Sequence, residues 1–187
     1  QNSWGATIYY MHYKDQLVLT GKINDVGAYT RTNIPDSYRL GLELQGKSTL
    51  THWLNLAGTL TVSQNRVQKF TEFYDDYDTG GQKSNTYGNT TIAYSPSIIG
   101  SASINITPLR NLEMSFPGKY VSRQYLDNTS NKARRLDAFY VQDIRMAYII
   151  SKVFFKEINL VAQVNNAFNK KYEPNGYTFS YLYGGSV

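Results

Sequence analysis

The feature that most constrains this chain is a period-two alternation of apolar and polar residues, repeated in segment after segment. The segment SYRLGLELQG (37–46) places four large apolar side chains on one side: Tyr38, Leu40, Leu42 and Leu44. The same alternation runs through LNLAGTLTVS (54–63), GSASINITP (100–108), QDIRMAYII (142–150) and EINLVAQVNN (157–166). Because successive side chains of a β-strand point to opposite faces, each segment predicts a strand with one apolar and one polar face.

Three less regular segments complete the set of predicted strands: WGATIYYMHY (4–13), LVLTGKI (17–23) and LEMSFPGKYVSRQY (112–125). In the last of them Pro117 and Gly118 interrupt the pattern, which predicts a bulge or an edge there. No stretch shows sustained helical spacing. The chain therefore predicts about eight strands, most of them near the ~9–11 residues that cross a bilayer at a tilt.

The predicted connections between these strands alternate in length. Short turns are expected at KDQ (14–16), STLTHW (48–53), PLRN (108–111) and 151–156. Longer polar loops are expected at 24–36, 71–85 and 127–135. Short turns on one rim and long loops on the other are typical of outer-membrane β-barrels.

Hydropathy excludes a helical membrane protein but not a barrel. Mean hydropathy is −0.45, and no run approaches the ~18 apolar residues of a membrane-spanning helix. A barrel strand reads as hydrophilic because half of its side chains line a polar interior. We predict an all-β fold of antiparallel, up-and-down strands from a transmembrane β-barrel. The alternative is a secreted β-sandwich, a carbohydrate-binding or adhesin module whose apolar faces meet in one core.

Composition argues against several other classes of function. The net charge is +5, but Lys and Arg are scattered among acidic residues, so nucleic-acid binding is not expected. There is no cysteine, and His12 and His52 stand alone without neighbours at ligand spacing. No nucleophile motif or phosphate loop is present. We therefore predict neither an enzyme nor a metal site nor a cofactor.

One loop suggests contact with a small molecule. The run FYDDYD combines aromatic rings with carboxylates, and its candidate ligand-binding residues are Phe73, Tyr74, Asp75, Asp76, Tyr77 and Asp78. Rings stack on ligands, and clustered oxygens suit Ca²⁺. The spacing departs from the twelve-residue calcium loop, however, and a solvated outer loop explains the same residues.

The stretch VNNAFNKKYEPNGY (164–177) resembles the "NLFDKKYE" block that ends the penultimate barrel strand of TonB-dependent receptors. Seven residues fit this block: Asn166, Phe168, Asn169, Lys170, Lys171, Tyr172 and Glu173. Ala167 replaces the usual large aliphatic residue. The segments KYVSRQYLDNT (119–129) and LDAFYVQDIRMAY (136–148) are similar to the preceding strand pair in receptors from Bacteroidetes.

This resemblance implies that residues 1–187 are the C-terminal part of a receptor barrel of about 22 strands. The plug domain and the final strand are then expected outside this chain. The whole receptor is expected in the bacterial outer membrane, where it contacts lipid. It would import a scarce nutrient, with siderophore–iron as the default, using energy from the TonB complex that acts through the plug. The open strand edges of the piece alone predict self-association.

Overall fold

The structure, a computed structural model, describes residues 2–151 and 156–187. These residues form twelve β-strands. The strands are β1 (Asn2–Ile23), β2 (Tyr29–Thr51), β3 (Leu54–Asp76), β4 (Gln82–Thr91), β5 (Ile98–Leu109), β6 (Leu112–Val121), β7 (Gln124–Tyr125), β8 (Arg135–Leu136), β9 (Phe139–Gln142), β10 (Ile144–Ser151), β11 (Glu157–Val164) and β12 (Tyr181–Leu182). Nowhere in these two ranges is there a helix long and apolar enough to cross a membrane.

One sheet contains ten of the strands, and its main path runs in the order β1-β2-β3-β5-β6-β10-β11, with every pairing along this path antiparallel. The strand β4 pairs with β3 beyond the point where β5 ends, and β9 pairs with β6 in the same way beyond β10. The prediction of antiparallel, up-and-down strands is confirmed, with seven strands along the path instead of about eight. Among the described residues, β1 and β11 each have one partner strand, so the sheet is open.

The register of the strands gives the sheet one apolar face and one polar face. Leu42 lies between Ile8 and Val62 on the apolar face. Its neighbour Glu43 lies between Thr7 and Thr61 on the polar face. The apolar face carries exposed side chains, with Leu42 and Leu44 at 36% and 40%. The two-layer sandwich is therefore wrong, because the apolar rows do not meet in a dry core.

The predicted turn at KDQ is wrong, because β1 continues through it. Lys14 pairs with Asp36 and Gln16 with Ile34, while Asp15 between them adopts a positive φ of 53°. Asp is among the few residues that enter this left-handed region readily, so the chain absorbs the irregularity without reversing. The predicted loop at 24–36 shrinks to a turn that precedes β2.

Two of the short turns are confirmed: His52 and Trp53 separate β2 from β3, and Arg110 and Asn111 separate β5 from β6. The turn expected at 151–156 lies largely outside the described residues. On one side of β6, Pro117 is in register with Ser103 and the ladder continues without a bulge. On the other side, neither Phe116 nor Pro117 has a register partner, so the predicted interruption of the ladder lies there, opposite Asp143 between β9 and β10.

The hydrophobic core lies at one end of the sheet, on the continuation of the polar face. Its cluster comprises Val18, Ile34, Val67, Phe70 and Ile92. Along β3 the buried positions run Asn65, Val67, Phe70 and Glu72, so the two-residue period slips by one between Val67 and Phe70. The slip falls at Gln68, which has no register partner. The segments 92–97 and 122–137 lie over this end of the sheet. Ser95 accepts a hydrogen bond from Arg39 of β2, and Asn128 donates one to the Leu19 carbonyl of β1.

Candidate functional site

The FYDDYD run forms a hairpin tip and not the long loop that was predicted. The strand β3 continues to Asp76, and β4 starts at Gln82. The buried Asp76 carboxylate accepts hydrogen bonds from the backbone N–H groups of Asp78 at 2.9 Å and Thr79 at 3.1 Å. The Lys83 ammonium lies 2.6 Å from it. The hydrogen bond from Lys83, followed by that from the Thr79 hydroxyl, holds the pKa of Asp76 well below its usual range. Asp76 thus stabilises the turn.

The second carboxylate of the tip fastens a distant segment. Asp78 accepts hydrogen bonds from the backbone N–H groups of Gly184 at 2.8 Å and Gly185 at 2.9 Å. The Tyr77 ring lies 5.7 Å from the Tyr181 ring in an edge-on arrangement. The structure therefore brings together Tyr77, Asp78 and residues 181–185, which the sequence did not link.

The remaining candidate residues divide between the two sides of the hairpin. Side chains alternate along a strand, so Phe73 and Asp75 point away from the side on which Glu72 and Asp76 are buried. Phe73 is 55% exposed, while Tyr74 is half-buried. The six residues do not converge on one surface, and a ligand-binding role for them stays a prediction.

A buried acidic group beneath this tip was missed by sequence reasoning. Glu72 accepts hydrogen bonds from the Arg134 guanidinium at 2.7 Å, the Tyr87 hydroxyl at 3.0 Å and the Ser180 hydroxyl. Arg134 also donates to Asp127 at 3.1 Å. Burial raises the pKa of Glu72, but the hydrogen bonds from Ser180 and Arg134 outweigh it, so the pKa lies below its ordinary value. The sequence offers one signal for this buried group: Glu72 lies two residues after Phe70, so the two side chains point to the same side of β3.

The segment 174–187 follows the turn after β11 and crosses back to β3. The Gly176 carbonyl accepts hydrogen bonds from the hydroxyls of Tyr29 at 2.8 Å and Tyr94 at 2.6 Å. Farther along, β12 pairs in parallel with Asp75 and Asp76. We call residues 174–187 the strap. It lies over the same end of the sheet as segment 122–137, where Asn128 donates to the Leu19 carbonyl at 2.7 Å.

The family motif forms the turn from which the strap begins. Asn166 has a positive φ of 49°, and its side chain bonds the backbone N–H of Lys170 at 2.9 Å and its carbonyl at 3.0 Å. The Asn166 backbone N–H donates to Asp143 at 2.7 Å. Tyr172 stacks on Phe139, with ring centroids 4.3 Å apart. Six of the seven motif residues are exposed: Phe168, Asn169, Lys170, Lys171, Tyr172 and Glu173. The motif therefore anchors the end of β11 to β9.

Neither histidine lies in a metal cluster. His12 Nε2 lies 2.5 Å from Asp36 across the β1–β2 pair, and His52 lies in the turn before β3. Within residues 2–151 and 156–187, no group of three or more His, Cys, Asp or Glu side chains is placed to hold a metal ion.

Comparison with known proteins identifies the family. Residues 1–167 match the family model "TonB dependent receptor-like, beta-barrel". The chain therefore belongs to the TonB-dependent receptor-like β-barrel family, whose members are outer-membrane transporters and not enzymes. A search of curated proteins gives no match.

Solved structures of siderophore receptors share the fold. PiuA from Acinetobacter baumannii is 18% identical with a TM-score of 0.69, over 94% of this chain and 23% of the receptor. Fiu from E. coli K12 is 14% identical with a TM-score of 0.59, over 91% and 21%. PfeA from Pseudomonas aeruginosa, in complex with enterobactin, is 19% identical with a TM-score of 0.58, over 89% and 24%. The chain spans less than a quarter of the length of each receptor.

Proposed function

We propose that this chain forms part of the barrel wall of a TonB-dependent receptor that imports a scarce nutrient across the bacterial outer membrane. The observation that carries the proposal is the two-faced sheet, with Leu42 and Leu44 on one face and Glu43 and Gln45 on the other. An apolar face that is exposed to water is unfavourable, whereas the same face in contact with lipid is stabilised. The polar face, in turn, suits the lining of a water-filled lumen. Membership of the receptor family supports the same assignment.

The nutrient we propose is a siderophore–iron complex or a similar small molecule. The support is the likeness of fold to PiuA, described as a siderophore receptor, and to Fiu, described as a ferric-catecholate import receptor. This chain is 18% identical to PiuA and 14% identical to Fiu, which supports a shared fold, and the ligand of this receptor is to be tested by experiment. The Bacteroidetes type stays a prediction from segments 119–129 and 136–148.

The rest of the receptor supplies what this sheet lacks. The unpaired backbone groups of β1 and β11 are donors and acceptors for neighbouring strands of a closed barrel. The plug domain and its contact with the TonB complex belong to the same proposal. Without those strands, the isolated piece is expected to self-associate through its open edges.

Deletion of the gene for the whole receptor tests the proposal. Uptake of ⁵⁵Fe-labelled enterobactin and of other labelled ferric siderophores is measured in iron-limited cells, with haem and cobalamin as further substrates. The proposal expects uptake of one substrate to fall to background and to return with the full-length gene. Unchanged uptake of every substrate would remove the transport assignment.

A further inference from the structure

The apolar face changes its chemistry in steps toward the covered end of the sheet. Ile8, Leu42 and Val62 form one apolar row across β1, β2 and β3. The next two rows toward the covered end carry Tyr10 and Tyr38, whose ring centroids lie 6.1 Å apart. Rings with a polar hydroxyl favour the level of the lipid headgroups, so the tyrosines mark the edge of the apolar band on this face.

Three cations follow on the same side of the sheet. Arg66 of β3 lies in register with Tyr38. Lys14 of β1 lies one row farther toward the covered end. Lys69 alternates along β3 with the buried Phe70, so its side chain points to the side opposite the core. We call Lys14, Arg66 and Lys69 the cationic row.

The cationic row has little counter-charge within the described residues. None of its three members forms an ion pair there. The acid in register with Lys14 is Asp36, and His12 Nε2 lies 2.5 Å from its carboxylate. Arg66 donates to the Asn89 carbonyl at 3.2 Å, a neutral acceptor. Clustered cations without acidic partners attract anionic groups, and phosphate above all in a membrane.

The cationic row lies at the depth where lipid phosphates are found. Arg66 follows Val62 by four positions, which is about 13 Å along a strand. At the usual tilt of a barrel strand this is about 10 Å of height, close to half of an apolar band ~25 Å tall. With the Leu42–Val62 row near the middle of the bilayer, the cations reach the headgroup level.

Exposed aromatic rings lie beyond the cationic row on the same side. Phe73 follows Lys69 on this side of β3 and is exposed. Tyr181 of the strap pairs in parallel with Asp75, which points to the same side as Phe73, and the Tyr181 ring is exposed. The neighbouring Ser180 is buried on the opposite side. Flat rings of this kind offer apolar faces on which sugar rings can pack.

The rest of a barrel does not cover this side of the sheet. Additional strands extend the wall at β1 and β11, and a plug fills the lumen, which adjoins the polar face. Arg66 and Lys69 lie on β3, with β2 and β4 as its neighbours at this level. The residues that flank them are therefore already present in this chain.

We propose that the cationic row binds the phosphate groups of a phosphorylated glycolipid in the outer leaflet, with Phe73 and Tyr181 against its saccharide. The order of chemistry on this side matches such a lipid: apolar residues for acyl chains, then cations for phosphate, then aromatic rings for sugar. The inference rests on the proposed function, because it requires the apolar face to lie in the membrane. It adds a partner on the side of the wall opposite the transport path.

The test uses the full-length receptor purified in detergent, and native mass spectrometry counts the lipids that stay bound. The probes are lipopolysaccharide with a short core saccharide, phosphatidylglycerol and inorganic phosphate. We expect lipopolysaccharide to bind at a saturable site, about tenfold more tightly than phosphatidylglycerol, which carries a phosphate and no saccharide. Millimolar inorganic phosphate should not displace it. Displacement would assign the cationic row to a free anion and overturn the lipid inference.

A neutral variant combines Lys14→Gln, Arg66→Gln and Lys69→Gln. It should weaken lipopolysaccharide binding about tenfold or more, because it removes the charge-assisted contacts to phosphate. Arg66→Lys alone keeps the charge and should stay within about threefold of the wild type, which guards against misfolding of the neutral variant.

The matched control removes the same charge from the polar face by combining Lys47→Gln, Lys119→Gln and Arg145→Gln. We expect its lipid binding to equal that of the wild type. Unchanged binding in the neutral variant, or an equal loss in the polar-face control, would overturn the inference. Siderophore uptake by cells that carry the neutral variant is measured alongside. Normal uptake together with either of those results would leave the transport function standing and remove only the lipid site.

Discussion

The Arg134 guanidinium donates to the Glu72 carboxylate at 2.7 Å and joins segment 122–137 to β3 across 62 residues of sequence. Both side chains are largely buried, at 13% and 4% exposure. Ser180 of the strap bonds the same carboxylate, so a single acidic group holds two covering segments against the sheet.

Removing Arg134 should loosen both segments. Arg134→Ala leaves Glu72 and Asp127 buried without their cation, which costs about 3 kcal/mol of stability for a pair of this kind. The measurement is urea unfolding of the full-length receptor, followed together with limited proteolysis of segment 122–137. The control is Arg135→Ala: its partner Asp137 is 3.8 Å away and 91% exposed, so we expect a change below about 0.5 kcal/mol. Equal effects of the two variants would contradict the buried-network account.

The hairpin tip should lose protection as acid protonates Asp76. The folded-state pKa of Asp76 lies below the usual value of 3.8. Its stabilising contribution is therefore present above that value and is lost as pH falls through the folded pKa. The protection factors for hydrogen exchange at residues 77–81 of the full-length receptor, which are corrected for intrinsic exchange rates, should fall in that acid range. In Asp76→Asn the protection factors should be low at all pH values; a retained fall with acid would assign the effect to another group.

The FYDDYD tip is testable as a ligand contact. If it touches the nutrient, Tyr74→Ala and Tyr77→Ala in the intact receptor should weaken substrate binding by about tenfold, because each removes an aromatic platform. Trp53→Ala is the control, because Trp53 is an exposed ring in the turn at the opposite end of β3 from the tip. The gel mobility of heated and unheated samples of each variant is compared, which checks that the barrel has assembled. Unchanged affinity in both tyrosine variants would remove the tip from the binding site.

The faces of the strands were predictable from sequence because alternation is a local property. Leu42 and Glu43 differ in chemistry and adjoin in sequence, so the strand period alone assigns them to opposite faces. The turns at 52–53 and 110–111 were predictable for the same reason, since each separates two alternating runs.

The covered end of the sheet was not predictable from sequence. Asp15 enters the left-handed region inside a strand, and a single residue of this kind looks like a turn when no partner strand is known. Glu72 looks like part of a polar loop because its partners Arg134 and Ser180 lie 62 and 108 residues away. The pairing of β12 with β3 is a long-range parallel contact that no local pattern encodes.

The measurement that bears most directly on the barrel assignment compares an arginine on each face of the sheet. Leu42→Arg places a charge on the apolar face, between Ile8 and Val62, whereas Thr61→Arg places the same charge on the polar face opposite Glu43. In the full-length receptor folded into lipid vesicles, Leu42→Arg should cost about 2–4 kcal/mol of folding free energy, the value for arginine near the bilayer midplane. Thr61→Arg should cost well under half of that. Equal costs, or a larger cost for Thr61→Arg, would contradict the assignment of the Leu42 face to lipid.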